Sequence, residues 1–516
     1  MANIALCTII AKNYLPFART LMASVKAYHP EFRRFVLLVD DPQNSFDTAA
    51  EDFAIHSADT IGVPDFPYLC VKYNILELST AVKPYYLAHL LSEYDLDAVL
   101  YFDPDIVLFD DLAPVLDALD TASIVLTPHL TGSLDDDHRP DEWEIMRAGA
   151  YNLGFVGVRA NSEACRFLAW WQAKLYNNCI IAVEENLFVD QRWVDLVPGM
   201  FQGVEILRDP GLNVAYWNLP HRTITHRDGR FLVNEHPLRF FHFSGFRAEN
   251  YEMPSRYQNR YTMANIGPAA VALFAQYRET VFAYGYDACK DWPYSYGFFE
   301  DGSAIPDAFR RLLRDDLALQ RDLIDHYRLR TFADIRDFVL DYANQPFDDG
   351  QPGTVLITRF AYKLYLSRSD LQRIFPDLVY AHRQPYAEWF VRYARRDYHL
   401  GWPVLRVMVE SLRAHDWPVD NIHDDHENNG DRDETFSELS PLFAASRAEL
   451  RGLRDELEQT AQQLRQRMAT LASWTRALQR TNAATAPVDP DPTPTSQSFL
   501  TRTAEDKSVQ PGEDLS

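Results

Sequence analysis

With 516 residues, 47% of them hydrophobic, the chain can bury a sizeable core and should hold more than one domain at the usual ~100–200 residues each. A formal net charge of −24 argues against non-specific binding of nucleic acid or anionic lipid, which needs a basic surface. The five cysteines (Cys7, Cys70, Cys165, Cys179 and Cys289) are scattered without metal-ligand spacing, which predicts a reducing compartment. No basic flank precedes the first apolar run and no apolar stretch reaches the ~20 residues of a bilayer span. The expectation is a cytoplasmic protein, at most peripheral at the inner face of the membrane.

In chain order, the β-branched run Ile4-Ala5-Leu6-Cys7-Thr8-Ile9-Ile10 predicts a first strand. Leu15, Ala18, Met22 and Val25 then recur at helical spacing, and Phe35-Val36-Leu37-Leu38-Val39 predicts a second strand ending at Asp40-Asp41. Strand, helix and strand in this order predict a parallel sheet with a right-handed crossover. Neither the glycine fingerprint of dinucleotide folds nor that of P-loops follows the first strand, which argues against both. Ser79-Thr80-Ala81-Val82-Lys83-Pro84 is read as the opening of the next helix, with Leu87, Leu90, Leu91 and Tyr94 on one face. That helix feeds Ala98-Val99-Leu100-Tyr101-Phe102, an unbroken apolar run of the kind expected of a strand covered on both faces.

Asp103 and Asp105 stand where this run stops, with Pro104 between them. The proline disfavours helical dihedrals at Asp103, so the chain leaves the sheet extended or turning. Two carboxylates then lie near the carboxyl end of a buried strand, where open α/β sheets bind ligands. Hard oxygen ligands there suit Mg²⁺ or Mn²⁺, bridging the protein to a diphosphate. A bare Asp-x-Asp is also ordinary punctuation after a core strand, so the remaining motifs have to decide.

Ser123-Ile124-Val125-Leu126-Thr127 predicts another strand, followed by a polar loop in which Asp135-Asp136-Asp137 reads as solvated. Tyr151-Asn152-Leu153-Gly154-Phe155-Val156-Gly157-Val158 reads as a loop-to-strand entry whose glycines admit a ligand close to the backbone. An aromatic helix around residues 167–176 precedes Asp190-Gln191-Arg192-Trp193, and Val204-Glu205-Ile206-Leu207 and Arg239-Phe240-Phe241-His242-Phe243 are short strands. From about Pro268 the pattern turns helical, for example Phe309, Leu312, Leu313, Leu317 and Leu319. Composition divides the chain into a sheet domain (1–262), a helical accessory region (263–418), an acidic linker (419–438), an amphipathic or coiled-coil helix (439–481) and a disordered tail (482–516). In that fourth segment Leu450, Leu457, Leu464, Leu471 and Leu478 recur every seven residues, predicting a homodimer seam or a docked helix.

Taken in this order, the motifs resemble those of GT-A glycosyltransferases, in particular the branch around glycosyltransferase family 8. The resemblance covers about half the chain. It runs from Thr8-Ile9-Ile10-Ala11-Lys12-Asn13-Tyr14 through Tyr101-Phe102-Asp103-Pro104-Asp105, Asn152-Leu153-Gly154-Phe155 and Asp190-Gln191 to His242-Phe243-Ser244-Gly245. It implies a Rossmann-like, mostly parallel α/β sheet and transfer of a sugar from a nucleoside-diphosphate sugar. The acceptor would be a glycan, lipid-linked or protein hydroxyl, in bacterial surface glycan or glycoconjugate synthesis. Asp103, Asp105 and His242 would hold Mn²⁺ or Mg²⁺, with Asp103 shared with the ribose. Thr8, Ala11, Asn13 and Tyr14 would hold base and ribose, and Lys83 would contact donor phosphate or sugar. Asn152 and Asp190, assisted by Gln191, would meet sugar hydroxyls or face the acceptor. The family's Lys-Pro-Trp after His-x-x-Gly is replaced by Phe246-Arg247-Ala248-Glu249, so Arg247 becomes the cation expected to meet the departing diphosphate.

Each residue also has a structural reading: a core histidine at His242, a turn asparagine at Asn152, a helix-cap aspartate at Asp190. The residues leave retention and inversion open, an inverting enzyme needing a base for which Asp190, with Glu184 and Glu185 behind it, is the candidate. Two rival functions remain. One is a haloacid-dehalogenase-type phosphatase with Asp103 as nucleophile and Asp105 as general acid, and the other a non-catalytic protein that recruits partners through the heptad helix.

Overall fold

The computed structural model describes residues 3–325, 330–348 and 353–417. The acidic linker, the Leu450 heptad helix and the tail lie outside the described residues.

The first half runs through β1 (Ile4–Ile10), α1 (Leu15–Tyr28), β2 (Arg33–Leu38), β3 (Ala54–Ser57), α2 (Phe66–Lys72), α3 (Ile75–Ala81), α4 (Lys83–Glu93) and β4 (Ala98–Phe102). It continues with β5 (Ile106–Leu108), α5 (Ala113–Leu119), β6 (Ile124–Leu126), α6 (Glu142–Ala148), β7 (Phe155–Arg159) and α7 (Ser162–Asn178). A seven-stranded sheet has the order Val204–Ile206, β6, β7, β4, β1, β2, β3. Every pair is parallel except that β7 runs antiparallel to both of its neighbours, β4 and β6. The chain leaves β1 toward β2 on one side and returns through α4 to β4 on the other. The carboxyl ends of β1 and β4 therefore flank a topological switch point.

All five residues of β4 are buried because the strand is covered twice. Val99 and Tyr101 pack with Leu87, Leu90, Phe167 and Trp171. Leu100 and Phe102 pack on the other face with Leu15, Met22, Val115 and Leu119. Burying such side chains contributes about 1.5–3 kcal/mol each, so a polar residue is excluded until the strand emerges at Asp103.

One local expectation is corrected. Residues 79–81 belong to α3, which Asn74 and Glu77 open with a capping box, and α4 starts only at Lys83 with Pro84 in its first turn. Asp135, Asp136 and Asp137 are exposed as expected, and Arg260 donates to both Asp136 oxygens at 2.7 Å, tying residues 135–141 to the segment before Pro268.

The helical region begins with the helix Pro268–Ala283, which packs directly on the strand Phe240–His242 and its continuation. Phe274 meets Phe241 edge-on at 5.3 Å, and Tyr277 stacks on Phe243 at 3.7 Å. Further on, Phe309, Leu312, Leu313 and Leu319 are buried as expected, whereas Leu317 is 70% exposed. Arg310 donates to the carbonyls of Cys70, Val71 and Tyr73 at 2.9–3.0 Å, satisfying acceptors that the end of α2 leaves open. The five cysteines are free thiols, and no helix among the described residues is long and apolar enough to cross a membrane.

Candidate active site

Where β4 ends, the Asp103 amide still donates to the Gly154 carbonyl at 2.8 Å, prolonging the contact with β7. After Pro104 the chain enters β5, which pairs antiparallel with Phe240–His242 so that His242 lies opposite Ile106. The Phe243 amide donates to the Asp105 carbonyl at 2.9 Å. This short ladder brings His242 Nε2 to 3.1 Å from Asp105 Oδ1 and 3.8 Å from Asp103 Oδ2. One ligand atom from each of the three residues lies within 4.8 Å of the others. The carboxylates are partly open to solvent while the imidazole is buried.

The ring is locked from behind. Its Nδ1 lies 3.2 Å from Asn152 Oδ1, and Trp217 meets it edge-on at 5.2 Å. An amide oxygen can only accept, so we assign the proton to Nδ1, leaving the Nε2 lone pair toward the carboxylates. Gly154 provides the room: a Cβ there would stand 2.5 Å from His242 Cε1. The glycine thus admits a protein ligand, where the sequence reading expected an external one. Burial opposes protonation of His242, but the charges of Asp105 and Asp103 outweigh it and its pKa is raised.

Asn152 is the centre of a buried polar network. Its Oδ1 also accepts from Asn213 Nδ2 at 3.1 Å and Gly154 N at 3.2 Å, and its Nδ2 lies 3.2 Å from His129 Nε2. Gln191 Oε1 accepts from the Leu153 amide at 3.0 Å and its Nε2 donates to the Ala148 carbonyl at 2.8 Å. Gln191 therefore fixes the backbone of the loop that carries Asn152. His129 is held neutral, burial pushing its pKa down to about 4. Asn213, His129 and Trp217 carried no local sequence signal, since only long-range packing brings them to Asn152 and His242.

Lys83 and Asp190 form a buried ion pair at 2.6 Å, both residues at most 2% exposed. Lys83 Nζ also donates to the Leu153 carbonyl at 2.9 Å and stands 4.2 Å from the centre of the Tyr101 ring. Burial raises the Asp190 pKa against the opposing pull of Lys83. The Tyr101 hydroxyl donates to Asp103 Oδ1 at 2.6 Å. The pair thus sits behind the Tyr101–Asp103 contact, where it braces a carboxylate, and both side chains are buried.

The segment after β1 is divided. Thr8 shares the face of Leu6 and Ile10, is fully buried, and its hydroxyl has no hydrogen-bond partner among the described residues. It lies inside the core. Ala11 is buried, Asn13 half-buried and Tyr14 exposed at the switch point. The Tyr14 phenol is raised, by crowding of protein around its ring first and the charge of Asp105 second, a shift that its solvent exposure keeps modest. Arg247 is solvent-exposed, and its guanidinium has no hydrogen bond or ion pair among the described residues.

No protein-family model matches the chain. It is 27% identical over 251 residues to the uncharacterized protein YfnD of Bacillus subtilis (strain 168), covering 48% of this chain and 79% of YfnD. To the uncharacterized protein YfnF of the same strain it is 25% identical over 250 residues, covering 47% and 82%. Similar solved structures include the galactosyltransferase LgtC in complex with donor and acceptor sugar analogs (16% identity, 54% of this chain, 95% of that one, TM-score 0.33). Others are the glycosyltransferase GlyE of Streptococcus pneumoniae TIGR4 (13%, 57% and 66%, TM-score 0.31) and mouse xyloside xylosyltransferase 1 (12%, 46% and 97%, TM-score 0.30).

Proposed function

We propose that this chain is a metal-dependent glycosyltransferase of the GT-A type, moving a sugar from a nucleoside-diphosphate sugar to an acceptor hydroxyl. One observation carries the reading: Asp103, Asp105 and His242 converge at the carboxyl end of β4, beside that of β1, with their ligand atoms within 4.8 Å of one another. The donor set fits Mn²⁺, which accepts imidazole beside carboxylate. Metal–ligand distances of about 2.1 Å put octahedral neighbours ~3.0 Å apart and opposite ligands ~4.2 Å apart. The observed 3.1 and 3.8 Å fall within that span.

A bound divalent ion supplies positive charge against the diphosphate as the glycosidic bond breaks. This chain's residues hold the geometry for it. Asn152 orients His242, Tyr101 fixes one Asp103 oxygen, and the Lys83–Asp190 pair supports Tyr101 from beneath. We read the transfer as retaining, because Asp190, the carboxylate proposed as an inverting base, has Lys83 Nζ at 2.6 Å and is buried. In a retaining reaction the acceptor hydroxyl attacks on the leaving-group face. The phosphatase alternative needs Asp103 free for in-line attack, whereas its oxygens face Tyr101 and His242.

The test is donor hydrolysis by the purified chain across UDP-, GDP- and TDP-sugars, with and without Mn²⁺. The reading expects one donor to be hydrolysed only with metal. Turnover of generic phosphate esters with silence on every sugar nucleotide would overturn it.

A further inference from the structure

Resting on that reading, we propose that Arg256 supplies a side-chain cation that the departing diphosphate meets. A diphosphate entering this site approaches two carboxylates, so a cation besides the metal is required on the open side. The nearby lysines are committed elsewhere. Lys83 is paired with Asp190, and Lys12 is buried with its Nζ on the Asp41 carbonyl at 3.0 Å and Ser295 Oγ at 2.8 Å.

Arg256 is brought beside the site by the turn that follows His242. Its amide donates to the Gly245 carbonyl at 3.0 Å. Gly245 has φ +71°, and a Cβ there would stand 2.5 Å from Tyr257 Cδ2 and 2.6 Å from Ser255 Oγ, so the segment 255–257 lies flush against the turn. Two lines of contact locate it further. On one side the Tyr257 ring lies 6.5 Å from Tyr216, Tyr216 lies 5.0 Å from Trp217, and Trp217 lies 5.2 Å from His242. On the other, Arg256 and Tyr257 both act electrostatically on the Tyr14 phenol, which also senses Asp105. The segment therefore packs against the turn that follows His242, within electrostatic reach of Tyr14.

The guanidinium is available. It donates to the Tyr257 hydroxyl, lies 4.7 Å from the centre of that ring, and is exposed. No carboxylate partners it among the described residues, in a chain whose 74 acidic residues outnumber its 50 basic ones. A planar, fork-shaped cation stacked on an aromatic ring and left without an anion is well suited to bidentate phosphate binding.

The experiment is titration calorimetry of the full chain with Mn²⁺ and, in turn, UDP, GDP and dTDP, each compared with its free nucleoside. Arg256→Gln is expected to weaken the bound nucleoside diphosphate at least tenfold and leave the nucleoside unchanged. Arg256→Lys should recover part of the loss. Unchanged diphosphate binding in Arg256→Gln, or equal losses for diphosphate and nucleoside, would overturn the proposal while leaving the transferase reading intact. If wild type binds none of the three diphosphates, the transferase reading fails and this assignment with it.

Discussion

Gly154→Ala isolates the role of His242 without touching a charged group. The glycine's φ lies outside the left-handed region, so alanine meets no backbone penalty there. The added Cβ would stand 2.5 Å from His242 Cε1, 2.7 Å from Nδ1 and 2.8 Å from Asn152 Oδ1. Ordinary carbon contacts begin at ~3.5 Å, so the imidazole has to retreat by about 1 Å. It has little freedom to do so, held by Asn152 and by Trp217. Overpacking of this kind costs ~1–3 kcal/mol of stability. A shift of about 1 Å also far exceeds the ~0.2 Å tolerance of a metal–ligand distance, and disturbing a ligand's support typically lowers metal affinity 10–100-fold. The assay is Mn²⁺ binding followed by electron paramagnetic resonance, with a thermal melt of the same sample. A folded Gly154→Ala protein that binds Mn²⁺ as tightly as wild type would refute the reasoning.

Lys83→Met leaves Asp190 buried without its partner and should destabilise the protein by ~3–5 kcal/mol, read as a drop in urea midpoint. The double variant Lys83→Met/Asp190→Asn should be milder; equal or greater loss in the double variant would show that the pair is not the cause. Hydrogen bonding from Arg260 holds Asp136 down at about 2, so its tie is fully present above the ordinary carboxylate value of 3.8 and fades as pH falls from there through about 2. Pepsin cleavage within residues 130–141 should therefore rise between pH 4 and pH 2 in wild type, and Asp136→Asn should be cleaved to the same extent at both ends of that range. Cleavage of wild type independent of pH, after correction for the protease's own profile, would contradict that assignment.

The parts of the fold legible from sequence are those written in local pattern. The apolar runs of β1 and β4 mark their strands from end to end and the helical spacing of α1 marks its start, because each element's burial is declared by its own residues. The direction of β7 was not legible. Its run Phe155-Val156-Gly157-Val158 suits either sense, and the antiparallel placement depends on where residues 128–154 carry the chain. The capping box at Asn74 was a readable signal for the start of α3 that the later Ser79-Thr80 obscured.

The candidate site divides in the same way. Asp103 and Asp105 could be read directly from the end of an apolar strand. His242 stood out only through the resemblance of its motif, since a three-residue ladder with β5 is what carries it to Asp105. Lys83 and Asp190 were singled out, but burial determines what they do, and two such residues far apart in sequence give no sign that they neutralise each other. Arg256 carried no signal either, because its position follows from the Gly245 turn.

Mn²⁺-dependent hydrolysis of nucleotide sugars by wild type and Asp105→Ala, side by side, tests whether Asp105 holds a metal that transfer requires. Asp105 is a partly solvent-exposed carboxylate, so its removal should leave the fold intact. Wild type is expected to hydrolyse one donor only with metal, and folded Asp105→Ala to turn over none. Equal metal-dependent turnover by the two proteins would contradict that role of Asp105.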